Sequence, residues 1–99
     1  MISVETKEKI FQLGKRLREN RLDRDEPQER FAARLGVSVP TLRKMENGDP
    51  NVKIGTWIEA LWLLDRLSDV DSVLKKDQTP FDEWDKKQKK KRQRATKRW

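Results

Sequence analysis

One stretch, PQERFAARLGVSVPTLRKMENG from Pro27 to Gly48, constrains the rest of the chain more than any other. Phe31, Ala32 and Leu35 fall at i, i+1 and i+4, which places them on one face of a helix and leaves Glu29, Arg30 and Arg34 in water. Gly36 ends that helix, because glycine enters the left-handed region without a Cβ penalty. Ser38 then caps a second helix. Its hydroxyl can accept an orphan first-turn N–H, worth about 1 kcal/mol, and Pro40 is tolerated where no intrahelical acceptor exists. Leu42 and Met45 form the buried seam of this second helix, which closes at Asn47-Gly48. Val39, Pro40, Thr41, Arg43 and Lys44 are left for the outside.

The flanking segments supply the remaining helices. Ile10, Leu13 and Leu17 predict an amphipathic helix over about Val4 to Leu22, capped by Ser3 or Thr6. Pro27 keeps Glu26 out of helical geometry, so DRDEP is a connector, and its carboxylates read as solvated. After Gly48 a turn-rich loop is expected, with Val52 and Ile54 tucked beneath it. A fourth helix, about Gly55 to Asp65, carries Trp57, Ile58, Leu61 and Leu64 as one stripe, widened by Ala60, Trp62 and Leu63. That stripe exceeds one core face. Trp57, Trp62 and Val70 are therefore expected at an interface with a second copy or a partner. A fifth helix, about Asp69 to Lys75, repeats the pattern through Val70, Val73 and Leu74.

Charge divides the chain unequally. The net charge is +7, yet residues 1–85 hold 15 Lys+Arg against 17 Asp+Glu, and the other nine basic residues lie in 86–99 with no acid among them. Phosphate affinity in the globular part must then come from local placement, while the tail is a sequence-blind cationic arm. Residues 1–76 are expected to form one domain and 77–99 a disordered basic tail. Phe81, Trp84 and Trp99 are too apolar for a purely electrostatic arm and read as partner anchors.

Several chemistries lack parts. With no cysteine and no histidine there is no disulfide framework, thiolate nucleophile or imidazole base. The four glycines are dispersed, so no phosphate-cradling loop exists. No enzyme, cofactor, metal site or small-molecule substrate is expected. An RNA reading of the basic and aromatic tail finds no aromatic-decorated sheet to support it. The apolar runs are too short to cross a membrane, which points to a cytoplasmic, nucleoid-associated protein.

Glycine corner, capped second helix and Asn-Gly terminus together fit a helix-turn-helix, although a plain packing corner has the same shape. The polar face of the second helix favours DNA. Residues Leu13 to Leu74 resemble the XRE/Cro-repressor helix-turn-helix regulators through LGKRLRENR (Leu13 to Arg21), Gln28, Ala32, Leu35-Gly36-Val37-Ser38 and Glu46-Asn47-Gly48. The resemblance implies an all-α, five-helix, repressor-like DNA-binding domain acting as a homodimer on double-stranded operator DNA. It implies that Gln28 contacts phosphate, and that Ser38, Val39, Pro40, Thr41, Arg43 and Lys44 face the duplex. Arg43 and Lys44 are the expected base readers, since either can donate to guanine. It also pairs Arg21 with Glu46. One position departs, since the family usually has an apolar residue where this chain has Glu26. NVKIGTWIEALWLLDRL and the tail KKQKKKRQR resemble the HipB-like antitoxins of toxin-antitoxin modules. That implies a self-regulating repressor or, alternatively, a module that neutralises a toxin such as a kinase-type protein.

Overall fold

The computed structural model describes residues 1–77. Four α-helices, α1 (Val4–Asp23), α2 (Gln28–Leu35), α3 (Val39–Glu46) and α4 (Ile54–Leu63), are followed by a 3-10 helix, Leu67–Ser72. No strand occurs among the described residues. The expected tail, with Phe81 and Trp84, lies outside them.

The core follows from the apolar periodicity. Leu17 of α1 meets Phe31, Ala32 and Leu35 of α2, Leu42 and Met45 of α3, and Ala60, Leu63 and Leu64 at the end of α4. Phe31, Leu42 and Met45 are fully buried, so the seams of α2 and α3 are its centre. On α1 the buried residues are Gly14, Leu17 and Arg21. Gly14 lets α1 lie against the end of α3. A Cβ there would collide with the backbone carbonyls of Met45 and Glu46, the latter at 2.8 Å. Ser3, rather than Thr6, caps α1, its Oγ accepting from the Thr6 amide at 3.0 Å.

All four α-helices end with the same pair of backbone bonds. A residue two or three past the helix end returns its N–H to a carbonyl five residues back, as Val37 does to Ala32, Asp49 to Lys44, Glu26 to Arg21 and Arg66 to Leu61. Each closure needs a left-handed residue. Gly36 (φ 79°) and Gly48 (φ 81°) provide it in the middle of the chain, whereas Asp25 (φ 51°) and Asp65 (φ 55°) provide it for α1 and α4. Aspartate tolerates this region better than most residues because its short side chain bonds locally.

Four expectations change. In place of a fifth α-helix over Asp69–Lys75 there is the 3-10 helix, and Val73 and Leu74 stand 68% and 96% exposed. With no apolar face buried beyond Val70, nothing offsets helix nucleation there. Ile54 starts α4 and is 76% exposed, so only Val52 packs under the loop. Val39 and Thr41 are half-buried, with Val39 against the core. Glu26 is only 5% exposed rather than solvated. Both of its carboxylate oxygens accept from Arg34 Nη1, at 2.8 and 3.0 Å. A buried carboxylate is tolerated where a cation and hydrogen bonds compensate the lost hydration.

Candidate nucleic-acid interface

α3 offers opposite faces to the core and to solvent. Ser38 fixes its start, with Oγ accepting from the Thr41 amide at 3.2 Å and lying 3.0 Å from Thr41 Oγ1. Two hydroxyls sharing one hydrogen bond leave one O–H free, so this pair can hold one phosphate oxygen as donor, not two. Leu42, Met45 and Glu46 are buried, while Pro40, Arg43 and Lys44 are exposed. Of the seven residues expected to face DNA, Val39 is therefore partly committed to packing. Lys44 and Thr41 border a shallow groove shared with Asp49, Asn51, Val52, Lys53 and Thr56.

Beneath this face a polar network joins three helices. Arg21 Nε donates to Glu46 Oε2 at 2.7 Å and Nη2 to Glu46 Oε1 at 3.1 Å; the two side chains are 5% and 3% exposed. Arg21 Nη1 also donates to the Glu26 carbonyl at 2.9 Å, so one guanidinium ties α1 to both the connector and α3. Gln28, at the start of α2, donates from Nε2 to Glu46 Oε1 at 3.2 Å and accepts from Arg43 Nε at 3.3 Å. No buried side-chain polar atom among the described residues lacks a partner. Gln28, expected to reach phosphate, thus has both ends of its amide engaged within the protein.

Of the residues expected at an interface, Trp57 and Trp62 lie on α4 and Val70 in the 3-10 helix. Trp57 lines a groove with Leu13, Leu17, Leu61 and Leu64, rimmed by Arg16 and Asp69. Trp62, 58% exposed, and half-buried Val70 lie outside that lining. α4 is instead held by Arg24, whose Nη1 and Nη2 donate to the carbonyls of Leu63 and Leu64 at 3.3 and 2.6 Å. Two features escaped the sequence reading. Lys53 and Thr56, at the start of α4, share the groove beside Lys44, and a lone lysine ahead of an apolar helix gives little warning of that. The burial of Glu26 leaves no local signal, because its partner, Arg34, lies eight residues away.

Residues 12–71 match a family model described as a helix-turn-helix domain. No curated protein and no solved structure matches the chain. None of the helices among the described residues is long and apolar enough to cross a membrane.

Proposed function

The chain belongs to the helix-turn-helix domain family, a family of XRE-like DNA-binding domains, and on that premise we propose that it is a sequence-specific repressor that occupies a palindromic operator as a homodimer. The observation that carries the reading is the division of α3. Its inner side chains, Leu42 and Met45, are 0% exposed, while Arg43 and Lys44 project together into solvent. Laid in a major groove, that face presents the Arg43 guanidinium to guanine O6 and N7, with the Lys44 ammonium beside it, and Pro40 to a thymine methyl. The free hydroxyl proton of the Ser38–Thr41 pair, together with Lys53 and Thr56, would hold the phosphates alongside.

Two copies would present α3 to half-sites about 34 Å apart. The groove around Trp57 supports a contact between copies through its apolar lining of Leu13, Leu17, Trp57, Leu61 and Leu64, with Arg16 as the cation in it that Asp69, paired with Arg66 at 2.9 Å, does not already hold. Footprinting on a duplex enriched from a randomised library should protect two symmetric half-sites. Arg43→Ala should cost about 1 to 3 kcal/mol on that duplex while changing binding to a scrambled one little. An asymmetric footprint, with a monomer in light scattering at micromolar concentration, would remove the dimer.

A second reading has the protein neutralise a toxin, with DNA binding serving autoregulation. The exposed apolar residues Ile54 and Trp62 on α4 favour it, because a lone domain gains nothing by leaving them in water. Removal of residues 77–99 separates the two. An electrostatic arm predicts weaker operator binding with a shallower salt slope; a partner anchor predicts loss of toxin capture with the slope intact.

A further inference from the structure

We infer that Gln28 is a positioning residue for base reading, one that holds Arg43 at a fixed place on the solvent face of α3, and that Lys44, which is not so held, supplies sequence-blind phosphate affinity. The inference rests on α3 being the recognition helix.

Protonation chemistry fixes which way the Gln28 amide points. Glu46, paired with Arg21, is a carboxylate and can only accept, so Gln28 must turn its NH2 group toward Glu46 Oε1, 3.2 Å away. Its carbonyl oxygen is then left facing the only kind of group that can use it, the donor-only Arg43 Nε at 3.3 Å. A reversed amide would set oxygen against carboxylate and NH2 against guanidinium. The order Arg21, Glu46, Gln28, Arg43 runs from fully buried to exposed, so the orientation is set where water does not compete and is delivered where DNA would lie.

Arg43 is held by Nε alone. Its terminal nitrogens, Nη1 and Nη2, have no partner among the described residues, and these two are the donors a guanine edge accepts. An arginine already restrained loses less rotamer freedom on binding than a free one. The Lys44 ammonium has no such restraint among the described residues, and a compact rotatable ammonium meets phosphate from many directions. Arg43 and Lys44, adjacent and equally charged, would therefore do different work.

The test uses the full chain, the duplex that the wild-type protein enriches from a randomised library, and a scrambled duplex of the same length, all at one salt concentration. Gln28→Met, similar in volume but unable to make either bond, should lower the ratio of selected to scrambled affinity about tenfold. In the Arg43→Ala background it should add less than a twofold change. Lys44→Ala should weaken both duplexes alike and flatten the salt dependence by about one unit. Gln28→Asn keeps the amide but is too short to span both partners, and serves as the second variant if Gln28→Met melts early. Independent, multiplicative losses for Gln28 and Arg43, or equal losses on both duplexes for Gln28→Met, would overturn the inference, because Gln28 would then be touching DNA itself. Failure of the wild type to enrich any duplex would instead remove the recognition helix on which it stands.

Discussion

Arg21, in the last turn of α1, and Arg24, just past its end, reach into very different parts of the molecule. Arg21 goes to Glu46 at the end of α3, with both side chains at most 5% exposed. Arg24 goes to the end of α4 and to Asp65, where the side chains are 41% and 89% exposed. Both are arginine-carboxylate pairs on the same helix. Only the first lies where water cannot substitute for the partner, so it locks a geometry, while the second contributes mainly through the two carbonyls that Arg24 caps. The ends of α2 and α3, beside the dry pair, have glycines at their left-handed positions, and the fully buried side chains of Phe31, Leu42 and Met45 lie in these helices. The half with the wet pair closes on Asp65 and leaves Trp62, Val73 and Leu74 in solvent.

Removing one carboxylate from each pair gives the largest expected contrast. Glu46→Ala strands a guanidinium that cannot shed its charge and should cost about 3 to 5 kcal/mol in urea unfolding. Asp65→Ala should cost under about 1 kcal/mol from the lost pair. Equal losses would mean that burial does not separate the two. A smaller contrast compares the corner's glycines. Gly36→Ala meets no atom within 4 Å and should cost only the left-handed strain, about 1 kcal/mol, whereas Gly48→Ala also drives its Cβ against Phe11 Cα, 2.7 Å away, and should cost at least twice that. Similar melting temperatures for the two variants would show that α1 yields at Phe11. The smallest effect runs in the opposite direction. Asp65→Gly should raise stability by up to about 1 kcal/mol, because it relieves the strained closure of α4 while leaving the carbonyls that Arg24 caps in place. A loss instead would make the exposed Asp65 carboxylate a real partner for Arg24, and the two halves less different than their burial implies.

Much of the fold was legible because it rests on local signals. The periodicity of Phe31, Ala32, Leu35, Leu42 and Met45, the Ser38 cap and the glycines at 36 and 48 each act within a few residues, and each appears in the folded chain where the pattern puts it. The 3-10 helix was misjudged because Val70, Val73 and Leu74 keep a helical spacing whether or not anything exists to bury them. Among the site residues, exposure of Arg43 and Lys44 follows from the same helical period that buries Leu42 and Met45. The inward engagement of Gln28 does not follow from it, since an amide at a helix start can face either solvent or protein.

By itself the sequence determined the number and order of the helices, the corner between α2 and α3, and which face of α3 is polar. These depend on backbone preference and on apolar spacing, which operate over one or two turns. Apart from the Arg21–Glu46 pair, which the family resemblance implies, only the tertiary structure decided what the polar residues do. It buried Glu26 against Arg34, set Gly14 under the carbonyls of Met45 and Glu46, and aligned Arg21, Glu46, Gln28 and Arg43 across three helices. Hydrogen bonds and ion pairs take their meaning from partners 8 to 25 residues away and from the exclusion of water between them, and neither is written in any single stretch of the chain.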